Sequence, residues 1–156
     1  KPKVTKSAVL SKERFHPGRT SSHVFLSSNH PLLQKIDNIV YSYLEIPIEN
    51  YENLQVVNYK SSEKYDAHYD ACDPKEEICQ NDIQTRGGLR YATFIFYLND
   101  NFTGGKTFVG KKEFTPKQGS SLIFRSNLKH GVTEIKDGVR GTIASWFTKD
   151  FESLNL

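Results

Sequence analysis

Three side chains are spaced so that they could hold a metal ion. His68 and Asp70 stand two residues apart in YDAHYD (65–70), a segment that reads as a strand. Alternation along a strand puts both on one face. His130 opens a later strand-like segment. Two imidazoles and one carboxylate on one side of an ion leave its other positions open, and that arrangement suits non-haem Fe(II). The H-x-D pair alone is a weak signal, since a solvated pair at a loop edge has the same sequence. Ten residues beyond His130, Arg140 lies in a strand that continues as TIASWF. A guanidinium buried there without a partner costs on the order of several kcal/mol. It therefore needs a buried anion or a water-filled cavity, unless the strand is an edge from which it reaches solvent. In the first case Arg140 is a fork for a small carboxylate, and 2-oxoglutarate requires such a clamp beside an open Fe(II) site.

The elements that must position these residues are mostly strands. Residues 1–15 are basic with weak periodicity and read as a tail leading into an edge strand. Thr20–Leu26 is a short strand. Ser28-Asn29-His30-Pro31 is a helix start, with a polar cap and a proline in the first turn. Leu32, Leu33, Ile36, Ile39, Val40, Tyr43 and Leu44 then recur at helical spacing, ending before Pro47. Strands are expected at 54–60, 65–70 and 90–98, then at 106–109, 112–115, 119–125, 130–135 and 139–148. Residues 71–88 read as a loop, Asn99–Gly105 as a turn, and further turns fall at Gly110, Gly119 and Asp137-Gly138. Many short strands with regular turns predict a mainly β sandwich or barrel, here a jelly roll buttressed by one N-terminal helix.

Length and composition narrow the possibilities. The 156 residues predict a single domain over 1–156, long enough for a real core. With 37% hydrophobic and 25% charged residues the chain is neither disordered nor a disulfide-dense miniprotein. A net charge of +3 is too small to argue for nucleic acid or an anionic membrane. No apolar run is long enough to span a bilayer, so the expectation is a soluble chain, cytoplasmic or in a secretory lumen. Starting at Lys1 rather than Met, it reads as a processed or trimmed fragment, so a missing signal peptide says nothing. Cys72 and Cys79 are either one disulfide or two free thiols, and oligomeric state is not readable.

Taken together the segments resemble the prolyl 4-hydroxylase family of the Fe(II)/2-oxoglutarate dioxygenase superfamily. They are RTSSHVFL (19–26), ENLQVVNY (52–59), KYDAHYD (64–70), GGLRYATFIFYLND (87–100), GGKTF (104–108), GSSLIF (119–124) and the run from His130 to Trp146. The resemblance implies a double-stranded β-helix with the metal at one mouth. It makes His68, Asp70 and His130 the iron ligands and Arg140 the partner of the far carboxylate of 2-oxoglutarate. Tyr59 and Tyr97 would donate hydroxyl hydrogen bonds around the cosubstrate. Tyr65, Trp146, Arg90 and the stretch holding Arg19 and Ser21 would hold a proline-rich peptide. The implied cofactors are Fe(II), 2-oxoglutarate, O2 and ascorbate, and the implied reaction is hydroxylation of peptidyl proline.

Arg140 departs from collagen-type and plant members, which carry lysine there. Arginine occurs at that position in oxygen-sensing prolyl hydroxylases, lysyl hydroxylases and some microbial relatives, so a lysyl or other side-chain hydroxylase is the alternative. A nucleic-acid demethylase would carry a second arginine six residues later, where this chain has Trp146. A non-catalytic proline-rich-peptide-binding domain has no need of the triad, and a zinc hydrolase would lack an obvious general base.

Overall fold

Alternation along two long strands sets the architecture. The computed structural model describes residues 5–6, 18–26, 31–44 and 50–149. Strand β1 is Thr5–Lys6 and β2 Ser22–Phe25; helix α1 is Pro31–Leu44. Strands β3 (Gln55–Lys60) and β4 (Tyr65–His68) precede helix α2 (Glu77–Arg86) and β5 (Leu89–Tyr97). Then come β6 (Thr103–Gly104), β7 (Thr107–Val109), β8 (Lys112–Phe114) and β9 (Ser121–Arg125). The chain continues through β10 (His130–Val132), β11 (Ile135–Asp137) and β12 (Val139–Lys149).

The larger sheet runs β1-β2-β3-β12-β5-β9, the smaller β4-β10-β7-β8, and β11 pairs with β6. In the larger sheet β12 pairs antiparallel with both β3 and β5, with Ile143 opposite Val56 and Phe96, and Phe147 opposite Ala92. Residues directly opposite point to the same side. One face thus collects Ala92, Phe94, Ile143 and Phe147, which pack with Ile36 and Val40 of α1 and with Leu54. Fully burying an apolar side chain of this size contributes about 1.5–3 kcal/mol, and this cluster fixes α1 on the sheet. The other face carries Gln55, Val57, Tyr59, Thr93, Ile95, Tyr97 and the even-numbered residues of β12 from Arg140 to Trp146. Val57 and Tyr59 pack on Val132 and Ile135, while Ile95, Tyr97 and Phe124 form a third cluster with Val109 against it. The two sheets meet through these contacts, and the functional cavity lies between them.

The mainly β architecture with an N-terminal helix agrees with the sequence reading, and most strands fall within a residue or two of their expected limits. Four expectations are corrected. Residues 71–88 are not simply a loop, because α2 lies within them. That helix has almost no apolar stripe for a periodicity argument to find; what bounds it is Gly87 in the left-handed conformation (φ 74°) and a Cys72–Cys79 disulfide across its first turn. The turn at 99–105 contains β6, which pairs with β11, so the strand expected at 130–135 divides in two. Ile39 and Tyr43, expected on the packed face of α1, are 56% and 77% exposed. The helix touches the sheet along the Ile36–Val40 row, and both residues fall on its flank. The Ser28-Asn29-His30 cap, Pro47 and all of the tail but Thr5–Lys6 lie outside the described residues; Thr5–Lys6 is an edge strand, as expected. Among the described residues no helix is long and apolar enough to cross a membrane.

Candidate metal centre and cosubstrate cavity

Strand register brings the three metal-ligating side chains together. β4 and β10 are antiparallel neighbours, and His68 and His130 are direct partners across them. Asp70 follows just past the end of β4. The ligand atoms of His68, Asp70 and His130 all lie within 4.8 Å of one another. Close approach of these strands depends on Gly131. A Cβ there would sit 2.5 Å from both Phe108 Cζ and the Tyr65 carbonyl oxygen.

The imidazoles are oriented from behind. His68 Nδ1 lies 2.8 Å from the Asp66 carbonyl oxygen, and His130 Nδ1 lies 2.9 Å from that of Leu128. A carbonyl only accepts, so Nδ1 carries the hydrogen in each ring and Nε2 is turned to the cluster. The two Nε2 atoms approach the Asp70 carboxylate at 3.6 Å (His68, Oδ1) and 3.1 Å (His130, Oδ2). Burial pushes the Asp70 pKa up, but in the metal-free site, where a second ring hydrogen on Nε2 lets each imidazole donate to the carboxylate, the hydrogen bonds from His130 and His68 and the charges of His130 and Arg90 outweigh it. They hold the carboxyl well below its ordinary range. An anion facing two imidazole nitrogens is a nitrogen–oxygen donor set for a divalent first-row metal, and Fe(II) fits it.

At the other end of the cavity lies Arg140. Strand β12 is flanked by β3 and β5, so the reading of Arg140 as a solvent-reaching edge residue is excluded; it is 1% exposed. Its Nη2 donates to Thr107 Oγ1 at 2.9 Å, and Thr107 Oγ1 is 2.8 Å from the Tyr97 hydroxyl. The guanidinium carbon is 5.2 Å from the Tyr59 ring centre and 5.5 Å from that of Tyr97. Its Nε has no hydrogen-bond partner, and among the described residues no carboxylate pairs with it. Burial lowers its pKa, opposed by Tyr59 and Tyr97, but arginine keeps its charge. A buried cation with an unused donor fits one end of a small dicarboxylate such as 2-oxoglutarate.

One cavity of about 280 Å³ joins the two ends. Beyond the triad and Arg140, the structure brings Arg19, Tyr59, Tyr65, Arg90 and Trp146 to its wall. Ser21 and Tyr97 are not on the wall. Ser21 accepts from Arg19 Nε at 3.1 Å, while Tyr97 stands behind Thr107. Tyr65 stacks on the His68 ring at 3.6 Å, and Arg19 lies over Tyr65 and donates to Gln55. Arg90 makes a two-pronged ion pair with Glu52 and covers Trp146 at 3.9 Å. The buried Trp146 Nε1 has no partner. Sequence reading missed Thr107, Gln55, Glu52, Thr93 and Ser126. A signal existed for Thr93: it is the one aliphatic hydroxyl in the run ATFIFYL, and alternation puts it on the cavity face. It also missed that α2 would form a wall, through Ile78 and the neighbouring Glu76.

A sequence profile of the 2OG-Fe(II) oxygenase superfamily matches residues 54–148, which hold the triad and Arg140. The chain belongs to that superfamily. Among its relatives, prolyl 4-hydroxylase 2 of Arabidopsis thaliana is 30% identical to this chain over 166 aligned residues, covering 85% of the chain and 53% of the relative. The chain spans 36–53% of the length of such curated relatives. The viral collagen prolyl hydroxylase of Paramecium bursaria Chlorella virus-1, solved with 2OG, is 26% identical with a TM-score of 0.69. That match covers 83% of this chain and 78% of the viral one. A Trichoplax adhaerens prolyl hydroxylase solved with a hypoxia-inducible-factor peptide shares the fold, with a TM-score of 0.68 and 16% identity, over 92% of this chain and 70% of that one.

Proposed function

We propose that the chain is a single catalytic domain, a peptidyl-proline 4-hydroxylase acting on proline-rich or collagen-like peptides. Its two facing sheets are read as a double-stranded β-helix buttressed by α1. The observation that carries the reading is the buried Arg140, with its unused Nε, in one cavity with a histidine–aspartate–histidine cluster. Bound together, Fe(II) and 2-oxoglutarate supply the oxidation of a C–H bond by O2, with release of succinate and carbon dioxide. The chain supplies the positions. His68, Asp70 and His130 hold the metal. Arg140, steadied by Thr107, anchors the far carboxylate of 2-oxoglutarate, with Tyr59 beside it and Tyr97 acting through Thr107. Tyr65 and Trp146 give the cavity wall the aromatic lining against which a proline would pack. Arg90, held by Glu52, and Arg19, held by Ser21 and Gln55, frame the mouth. Polyproline II segments keep their carbonyls exposed and are recognised by such aromatic grooves.

The test is incubation with Fe(II), ascorbate, 2-oxoglutarate and a panel of proline-rich and lysine-containing peptides, with the product sequenced by mass spectrometry. A one-oxygen gain on proline is expected. A gain on lysine would replace this reading with the side-chain hydroxylase. Succinate with no peptide product would leave the cosubstrate chemistry and reject the substrate class.

The Cys72–Cys79 disulfide yields a second prediction. It ties the first turn of α2 to the turn after Asp70, and α2 has no side-chain cap at its N-terminus and little apolar surface to hold it otherwise. Replacing both cysteines with serine is expected to raise the KM for peptide several-fold, while iron and 2-oxoglutarate affinities stay unchanged. An unchanged peptide KM would contradict a role for α2 as the substrate wall.

A further inference from the structure

Hydrogen-bond direction behind the metal cluster is fixed by elementary chemistry. A metal-binding carboxylate is ionised and can only accept. Thr93 Oγ1 lies 2.7 Å from Asp70 Oδ2, so Thr93 donates. Its single hydrogen is then used, and the 3.0 Å contact between Thr93 and Ser126 must run from the Ser126 hydroxyl to Thr93. Ser126 is tied in further. Its carbonyl accepts the N–H groups of Asp70 (3.1 Å) and Ala71 (3.0 Å), and its own N–H donates to the Tyr91 carbonyl (3.0 Å). Thr93 is 2% exposed and Ser126 fully buried, so water does not compete.

We propose that Thr93 and Ser126 are positioning residues for the metal centre: a directed two-hydroxyl chain that fixes the orientation of the Asp70 carboxylate through its Oδ2. The proposal rests on the metal-centre reading above. Two features separate it from mere satisfaction of buried hydroxyls. The chain ends on the one anionic ligand, and the same serine fixes the backbone of that ligand and of the next residue. Strand β5 and the residue just past the end of β9, neither of which carries a metal ligand, thereby orient a residue that lies past the end of β4.

The experiment titrates Mn(II) and Co(II) into the wild type, Thr93→Val, Thr93→Ser and Ser126→Ala, with binding followed by electron paramagnetic resonance and by cobalt visible absorption. Valine keeps the shape and removes the donor; serine keeps the donor. Removing such a partner of a metal ligand typically weakens binding about 10–100-fold. That loss is expected for Thr93→Val, with an altered cobalt spectrum, and Thr93→Ser should restore both affinity and spectrum. Ser126→Ala should shift affinity in the same direction by a smaller factor. Wild-type affinity in Thr93→Val would overturn the proposal, and so would equal losses in the valine and serine variants, which would mark a packing effect. If the wild type bound neither ion, the metal-centre reading itself would fall, and the proposal with it.

Discussion

Arg140→Ala is expected to raise the apparent KM for 2-oxoglutarate by about 30-fold to a few thousand-fold while the metal-free protein stays folded. Truncating one partner of a buried, hydrogen-bonded charge pair costs about 2–5 kcal/mol, and about 1.4 kcal/mol is a factor of ten. Stability should respond differently. Without a ligand the guanidinium is buried, makes one hydrogen bond to Thr107 and leaves Nε unpartnered. Such a charge stabilises little or nothing, and the truncated side chain opens into an existing cavity rather than a packed core. A binding defect without a matching fall in Tm is therefore the expected signature. Unchanged 2-oxoglutarate affinity would remove Arg140 from the site.

Asp70→Ala is expected to abolish turnover and weaken iron binding by roughly three orders of magnitude, an order-of-magnitude share of the free energy that a few-ligand site contributes. Asp70 is the only carboxylate in the cluster, and both imidazole Nε2 atoms face it. Its loss removes a ligand and the one negative charge that offsets the metal. Competition against a coloured chelator reads the affinity directly. Retention of more than a few per cent of the wild-type turnover would contradict the triad assignment.

The site was more legible in the sequence than its support. His68 and Asp70 could be put on one face because strands alternate, and Arg140 stood out because a charge interrupts an apolar strand. That His130 pairs directly with His68 could not be read, since register between strands 60 residues apart is a tertiary fact. An arginine in an edge strand reaches solvent with the same sequence, and only the sheet order, with β12 between β3 and β5, buries Arg140. The strand pattern of the fold was largely readable. Helix α2 was not, because a polar, disulfide-tied helix of ten residues has no amphipathic period to detect. The exposed Ile39 and Tyr43 teach the converse: periodicity marks apolar positions, whereas packing decides which of them touch the sheet. Thr107, Gln55 and Glu52 escaped notice because a threonine, a glutamine or a glutamate in a strand or loop becomes meaningful only beside the arginine it holds.

The most direct test of the central claim is an anaerobic titration of 2-oxoglutarate into the chain with and without Fe(II), followed by calorimetry and visible absorption. A cavity with a metal at one end and Arg140 at the other binds 2-oxoglutarate tightly and one-to-one when Fe(II) is present, with a metal-to-ligand absorption band, and much more weakly without the metal. Failure of the iron-loaded protein to bind 2-oxoglutarate, or binding of equal strength with and without iron, would contradict the claim.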